Sequence, residues 1–260
     1  MTETPRRRGE TESRVEGFEA ILDGLFERIR RNSRSLGIAL GLLLVLAVAA
    51  AFAYEYANRA KIEALDALAK IESGFSSAMG APAGVALVPE PANRALASRA
   101  RETALTQLED FLSDHGSSDL APVATIRAAE MEVDLGRLEA ASERLERLAA
   151  DLDADDPRRA VALRLRAYVL EEQAQPVAAA ETYERAADVK TYPARSLALI
   201  SAGEAFERAG EYRRAIGSYQ RALSIAPDIS RQAGLLRRIA MLEYKAAAAV
   251  SGSDNEHSVK

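Results

Sequence analysis

The sequence predicts an all-α protein: one transmembrane helix followed by a short α-solenoid of helical hairpins. Three observations carry this. Alanine supplies 53 of the 260 residues, while aromatics make up 5% and Cys and Trp are missing. An uncharged run of twenty residues extends from Ser35 to Tyr54. From about residue 94 every segment repeats apolar positions at helical spacing, in units offset by 36 and 38 residues.

Composition excludes several classes. Alanine-rich chains poor in β-branched and aromatic residues pack as helices through small faces and not as sandwiches or barrels. With 48% apolar and 28% charged residues the chain is no solvated tail. A formal charge of −5 gives no global reason to bind nucleic acid. The lack of cysteine excludes a disulfide framework, a thiol nucleophile and cysteine-ligated zinc.

The membrane element comes first. Twenty residues at about 1.5 Å each span roughly 30 Å, the thickness of a bilayer's hydrocarbon core. Arg28, Arg30, Arg31 and Arg34 precede the run, whereas Arg59 and Lys61 are the basic residues within fifteen positions after it. The positive-inside rule therefore puts residues 1–34 in the cytoplasm and 55–260 across the membrane. Ala51-Phe52-Ala53 has the small-x-small form of a cleavage site. The 34 residues upstream and the length of the run fit an uncleaved anchor better than a signal peptide. Gly37-x-x-x-Gly41 offers a close-packing face for a homo-oligomer through the membrane helix.

Within 1–34, Val15, Phe18, Ile21, Leu22, Leu25, Phe26 and Ile29 recur at helical spacing opposite Glu16, Glu19, Asp23 and Glu27. An amphipathic helix on the inner leaflet, against a partner or against a neighbouring protomer would each show this stripe. Residues 55–93 form a linking region. A helix is expected over 58–75, with Ile62, Leu65, Leu68, Ile71 and Phe75 on one face. The Pro- and Gly-rich stretch 79–93 then reads as a loop. The repeat domain follows over 94–250, and the polar residues 251–260 are expected to be a disordered tail.

The clearest repeat unit is Ser196–Asp228. Gly203 and Phe206 fall in a first helix, Gly210-Glu211-Tyr212 makes a turn, Ala215, Tyr219 and Ala222 fall in a second helix, and Pro227 stops it. This resembles the tetratricopeptide repeat (TPR), which places small residues at positions eight, twenty and twenty-seven. Aromatics occupy its positions eleven and twenty-four, with Pro at thirty-two. Small residues let paired helices approach, and the aromatics fill the remaining gap. A second unit from Ala160 has Ala167, Leu170, Ala179, Tyr183 and Ala186 in register, and a third, from Pro122, has Ala129, Gly136, Ala141, Leu145 and Leu148. In the Pro122 unit Glu132 stands where an aromatic is preferred. Ala104, Leu108 and Phe111 suggest half a repeat before these units, and 230–249 a closing helix after them.

The TPR resemblance implies a protein-binding groove lined by positions two, five, nine, twelve and thirteen of each first helix. These are Val123, Ile126, Glu130, Val133 and Asp134, then Val161, Arg164, Tyr168, Glu171 and Glu172, then Leu197, Ile200, Glu204, Glu207 and Arg208. Such a groove is apolar along one side and acidic along the other. It would repel a partner's C-terminal carboxylate and suit a basic or amphipathic segment, unless the carboxylates serve only solubility. No catalytic, cofactor or metal site is expected. His115 and His257, placed in a loop and in the tail, have no partner at triad or ligand spacing. Asp151-x-Asp153-x-Asp155 lacks the Gly and Glu that a calcium loop needs, and suits a turn capping a helix near Pro157.

The arrangement over roughly residues 28–250, with Phe111-Leu112 and Leu163-Arg164-Leu165-Arg166 inside it, resembles the YfgM-like family of ancillary Sec translocon subunits. That resemblance implies a single-pass bacterial inner-membrane protein with a periplasmic repeat domain. Its partners would be translocon subunits, periplasmic chaperones or exported chains, in a chaperone-like role. A scaffold for another envelope complex, in division, secretion or outer-membrane assembly, is the alternative.

Overall fold

The computed structural model describes residues 33–81, 90–91, 93–226 and 234–257, with the backbone alone for 33–41, 57 and 248–257. The expected amphipathic stripe at 15–29, most of the 79–93 loop, and Pro227 lie outside the described residues. Among the described residues nine helices occur and no strand. They are α1 (Ser33–Ala78), α2 (Arg94–His115), α3 (Ala121–Asp134), α4 (Leu138–Asp151), α5 (Pro157–Glu172), α6 (Pro176–Asp188), α7 (Arg195–Arg208), α8 (Tyr212–Ile225) and α9 (Leu235–His257). The chain divides into two units, Met1–Ile62 and Glu63–Lys260.

In the first unit the apolar side chains of α1 are exposed, including Leu43, Leu44, Val45, Leu46 and Phe52. By length and composition this is the one described helix able to cross a membrane. The sequence suggests a span over 35–54 and a separate helix over 58–75, but α1 is uninterrupted. No Gly or Pro falls between Leu42 and Ser73. Across the junction Arg59 donates to the Glu55 carboxylate at 3.0 Å, an i,i+4 pair that favours helix.

The second unit is a row of hairpins in which each helix packs on its neighbours in sequence, as in a solenoid. Three hairpins, α3–α4, α5–α6 and α7–α8, reproduce the TPR units expected from Pro122, Ala160 and Ser196. Their turns are superimposable in bonding. Arg137, Gln175 and Glu211 each donate their N–H to the carbonyl five residues back, on Glu132, Leu170 and Phe206, at 2.8–2.9 Å. This Schellman closure needs a left-handed residue one position earlier. Gly136 and Gly210 supply it at φ 76° and 78°, and Ala174 adopts it at φ 56°, which costs about 1 kcal/mol for a residue with a Cβ.

Inside each hairpin a small residue on the first helix faces a large one on the second. The pairs are Ala129 with Leu145, Ala167 with Tyr183, and Gly203 with Tyr219, all buried. The last is the tightest, since a Cβ on Gly203 would stand 2.4 Å from the Tyr219 ring. The Asp156 carboxylate accepts from the Arg158 N–H at 2.8 Å, so Asp156, not the 151–155 aspartates, caps α5.

Ahead of these units, Ala104, Leu108 and Phe111 belong to a full helix, α2, capped by Asn93. Its buried face shares a cluster with Phe75 of α1, with Met79 just beyond that helix, and with Ala124, Ala128 and Met131 of α3. The helix extends through His115, whose ring lies 4.9 Å from Phe111, so His115 is helical and not in a loop. At the other end Leu235, Ile239 and Leu242 of α9 close the main core. The closing helix is described from Leu235, after Gly234 at φ 69°, with 230–233 outside the described residues, and it runs through 251–257, where a disordered tail is expected. Extension costs less than nucleation once the Ala246–Ala249 run is helical, and no proline follows.

The Gly203–Tyr219 fit makes a direct prediction. Gly203→Ala should lower stability by about 2 kcal/mol, the cost of overpacking, measured as a fall in the urea or thermal midpoint of the helical circular dichroism signal. Gly217→Ala, on α8 with nothing within 4 Å of its new Cβ, should be neutral or stabilising.

Candidate functional site

The first helices α3, α5 and α7 carry the expected groove residues, and the structure changes the character of that surface. The apolar members divide into two sets. Ile126, Val133, Val161 and Ile200 are half-buried and lean on the main core. Val123, Tyr168 and Leu197 are offered to solvent, at 45%, 43% and 52% exposure. Tyr168 faces acid: burial, then the neighbouring Glu172 carboxylate, pushes its phenol above the usual tyrosine range.

The carboxylates expected along the acidic side are largely paired by arginines. Arg208 on α7 bonds Glu171 on α5. Arg238 on α9 reaches back to Glu204 at 2.9 Å and Glu207 at 2.8 Å on α7. Arg101 on α2 takes Asp134 of α3 at 3.0 Å and also Glu90. Arg127 binds Glu130 at 2.6 Å and grips Glu72 with two bonds of 2.8 and 2.9 Å. The side that looks acidic in the sequence is therefore a chain of ion pairs, and repulsion of a ligand carboxylate there is correspondingly reduced. Burial raises the Glu171 carboxyl above its usual range, against the pull of Arg208. Arg164 and Glu172 are exposed members of the same set.

Of the expected site residues, the structure thus brings Asp134, Tyr168, Glu171, Glu172, Glu204, Glu207 and Arg208 into one electrostatically linked strip along successive first helices. The arginines that complete it, Arg101, Arg127 and Arg238, fall outside the groove positions of the repeat, and sequence reasoning passes over them. Gly203, Phe206, Ala215, Tyr219 and Ala222 are buried packing residues, as the repeat requires. Gly37 and Gly41 lie on the α1 backbone.

A second set of ion pairs runs from α2 to α4 and on between the second helices of successive hairpins. Arg144 meets Glu109 at 3.1 Å, Arg185 meets Glu146 at 3.0 Å, Arg214 meets Glu181 at 2.7 Å, and Arg221 meets Glu184 at 3.2 Å and Asp188 at 2.6 Å. The acid is always on the earlier helix and the arginine on the later, 33–39 residues apart. The separation is one repeat length. The detectable signal was Arg and Glu recurring at that spacing, together with only five lysines among 34 basic residues. Arginine's planar fork suits such bridges better than lysine's point charge.

Glu132 shows how the repeat tolerates its departure from the aromatic preference. Its side chain is buried, and Arg144 donates to both carboxylate oxygens at 3.0 and 2.6 Å while also reaching Glu109. A charged pair stands in for an aromatic ring. Among the described residues no group of three or more His, Asp or Glu is placed to hold a metal ion.

No family model matches the chain, and no curated protein matches it. Among solved structures it is similar to a Podosopora anserina putative kinesin light chain with nearly identical TPR-like repeats, at 17% identity and a TM-score of 0.48, covering 71% of this chain and 92% of that one. It is also similar to the MamA protein, at 18% identity and a TM-score of 0.40, covering 62% of this chain and 86% of that one. The repeat architecture itself stands on the hairpins, turns and small-to-large pairs of this chain.

Two predictions arise from the ion pairs. Glu132→Ala should destabilise by about 3 kcal/mol, because Arg144 is left largely buried with its main partner gone. Adding Arg144→Leu should recover a substantial part of that loss in the same denaturation assay. The second concerns pH. A hydrogen bond from Arg185, aided by Arg166, holds the Glu146 carboxyl below the ordinary range. A depressed folded-state pKa contributes stability at neutral pH that is lost as pH falls below about 4.3. Glu146→Gln should therefore show a shallower loss of thermal midpoint on acidification than the parent chain.

Proposed function

We propose that this protein is a membrane-anchored, protein-binding adaptor, with its repeat domain in the bacterial periplasm and a chaperone-like role near the Sec translocon. One observation carries the binding role: exposed Val123, Tyr168 and Leu197 recur on the first helices of three successive hairpins, bordered by paired charges. Apolar side chains set in a polar rim are the usual composition of a protein-binding surface. A short amphipathic segment of an exported or assembling protein is the ligand such a strip suits. The lipid-compatible part of α1 and the arginines at 28–34 support the anchor and its direction.

Photocrosslinking in intact membranes, from a probe placed at Tyr168 or Leu197, should recover translocon subunits, periplasmic chaperones or exported chains. Stable, stoichiometric recovery of division, secretion or outer-membrane machinery would favour the scaffold alternative, and recovery of neither group would sink the adaptor. A reporter fused after Lys260 should be active on the periplasmic side. Activity confined to the cytoplasm would overturn the orientation.

A further inference from the structure

We propose that α1 pairs with α1 of a second copy along a heptad seam, so that the anchored protein is a parallel homodimer. The inference rests on the membrane span proposed above. Beyond Tyr54 the helix has two apolar faces. One, through Ala64, Leu68, Ile71 and Phe75, is taken into the core cluster of its own chain. The other, through Ile62, Leu65 and Ala69, is open, with Ile62 57% and Leu65 47% exposed. At about 100° per residue the two faces lie roughly a third of a turn apart, so the chain's own core leaves the second uncovered. Lipid does not cover it either, because Ile62 lies about 12 Å and Leu65 about 16 Å beyond Tyr54 along the helix.

Two features select an identical chain as the occupant. The open residues follow alternating steps of three and four, the period of a left-handed coiled coil. Continued upstream, the same alternation passes Asn58 and Glu55, then enters the membrane span through Ala51, Val48, Leu44 and Gly41. A helix that lines this whole seam must itself cross the membrane and run on into water at the same depth, and a second copy does so by construction. The flanking charges then agree with that pairing. With Ile62 at position a and Leu65 at position d, Lys61 occupies g and Asp66 the following e. These two positions meet across a parallel two-stranded coil, and here they are of opposite sign. Two copies anchored in one membrane can pair only in parallel.

The neighbouring polar residues set the limits of the seam. Asp66 is bonded by Lys70 of its own helix at 2.7 Å through one oxygen, and its side chain remains well exposed for a second cation. Asn58 falls at a d position and is exposed. Its amide holds both a donor and an acceptor, so two copies can bond each other there, at a cost in stability that also fixes the register. Glu55 falls at an a position, where its carboxylate is drawn aside by Arg59. The apolar contact outside the membrane therefore begins at Ile62. The next seam position after Ala69 is Glu72, which Arg127 holds within the chain, so the seam stops there.

The chain has no cysteine, so single cysteines report the pairing in the full-length protein in native membranes. Under mild oxidation Ile62→Cys and Leu65→Cys should form disulfide-linked dimers at least tenfold faster than Glu63→Cys and Lys70→Cys, which are exposed but lie off the seam. Lys61→Asp should lower the Leu65→Cys dimer yield severalfold, and adding Asp66→Lys should restore it. Equal rates at all four positions, or no dimer at Ile62 and Leu65, would overturn the seam. Carbonate extraction of the same membranes separates the two levels. A retained chain without seam crosslinks defeats the dimer alone, whereas a chain released with soluble proteins defeats the span and the dimer together.

Discussion

The arrangement of Glu63–Lys260 depends on how closely the two helices of a hairpin can approach. Where a first helix offers a hydrogen or a methyl group, the second can seat a large side chain against its backbone. Gly203 under Tyr219, Ala167 under Tyr183 and Ala129 under Leu145 are three instances of this one constraint. Ala202 joins the Ala167–Tyr183 cluster, so the ring also touches the following hairpin, and the fit inside one unit sets the spacing to the next. An alanine buries little apolar area. A core this rich in it is held by many short dispersion contacts, which fall away quickly if the helices separate. The burial of Tyr219 is tolerable because its hydroxyl lies 3.4 Å from the Glu207 carboxylate.

Close approach through small faces does not by itself fix which hairpin follows which, since alanine faces resemble one another. The ion pairs supply that discrimination. Each exposed bridge is worth less than about 1 kcal/mol, but in the set from α2 through α4, α6 and α8 the acid is always on the earlier helix and the arginine on the later, so these bridges share one polarity. The polarity also has an end. The last second helix, α8, contains Arg213, Arg214 and Arg221 and no acidic residue. It answers the hairpin before it and presents no carboxylate for another. The closing helix α9 then covers the apolar end with Leu235, Ile239 and Leu242.

Much of this was legible in the sequence because the constraint is local. Small residues at position eight, a turn residue at fifteen and large ones at eleven and twenty-four are readable from spacing alone, and they placed three hairpins with their turns. The continuity of α1 was harder to see. Its composition changes from lipid-compatible to mixed at Glu55, and a change of environment does not require a change of conformation. The places of the charged side chains on the first helices were legible, and their pairing was not. Glu204 and Glu207 look like unopposed acids until Arg238 is brought back onto them from 31–34 residues away. Pairing across a repeat is a property of the stack, and a single unit read by itself does not contain it.

That pairing decides what a ligand at the first helices would meet. A carboxylate already bridged by arginine offers a distant cation little net attraction, and displacing the arginine would leave a charge to be resolvated. The energetic contribution of such a surface therefore falls to Val123, Tyr168 and Leu197, while the surrounding pairs act as a polar rim that sets orientation. Tyr168 combines both properties, a partly exposed apolar ring and a hydroxyl beside Glu172. A surface of this kind discriminates by the spacing of apolar side chains along a partner segment more than by its net charge. That is consistent with an adaptor whose partners share a pattern and not one sequence.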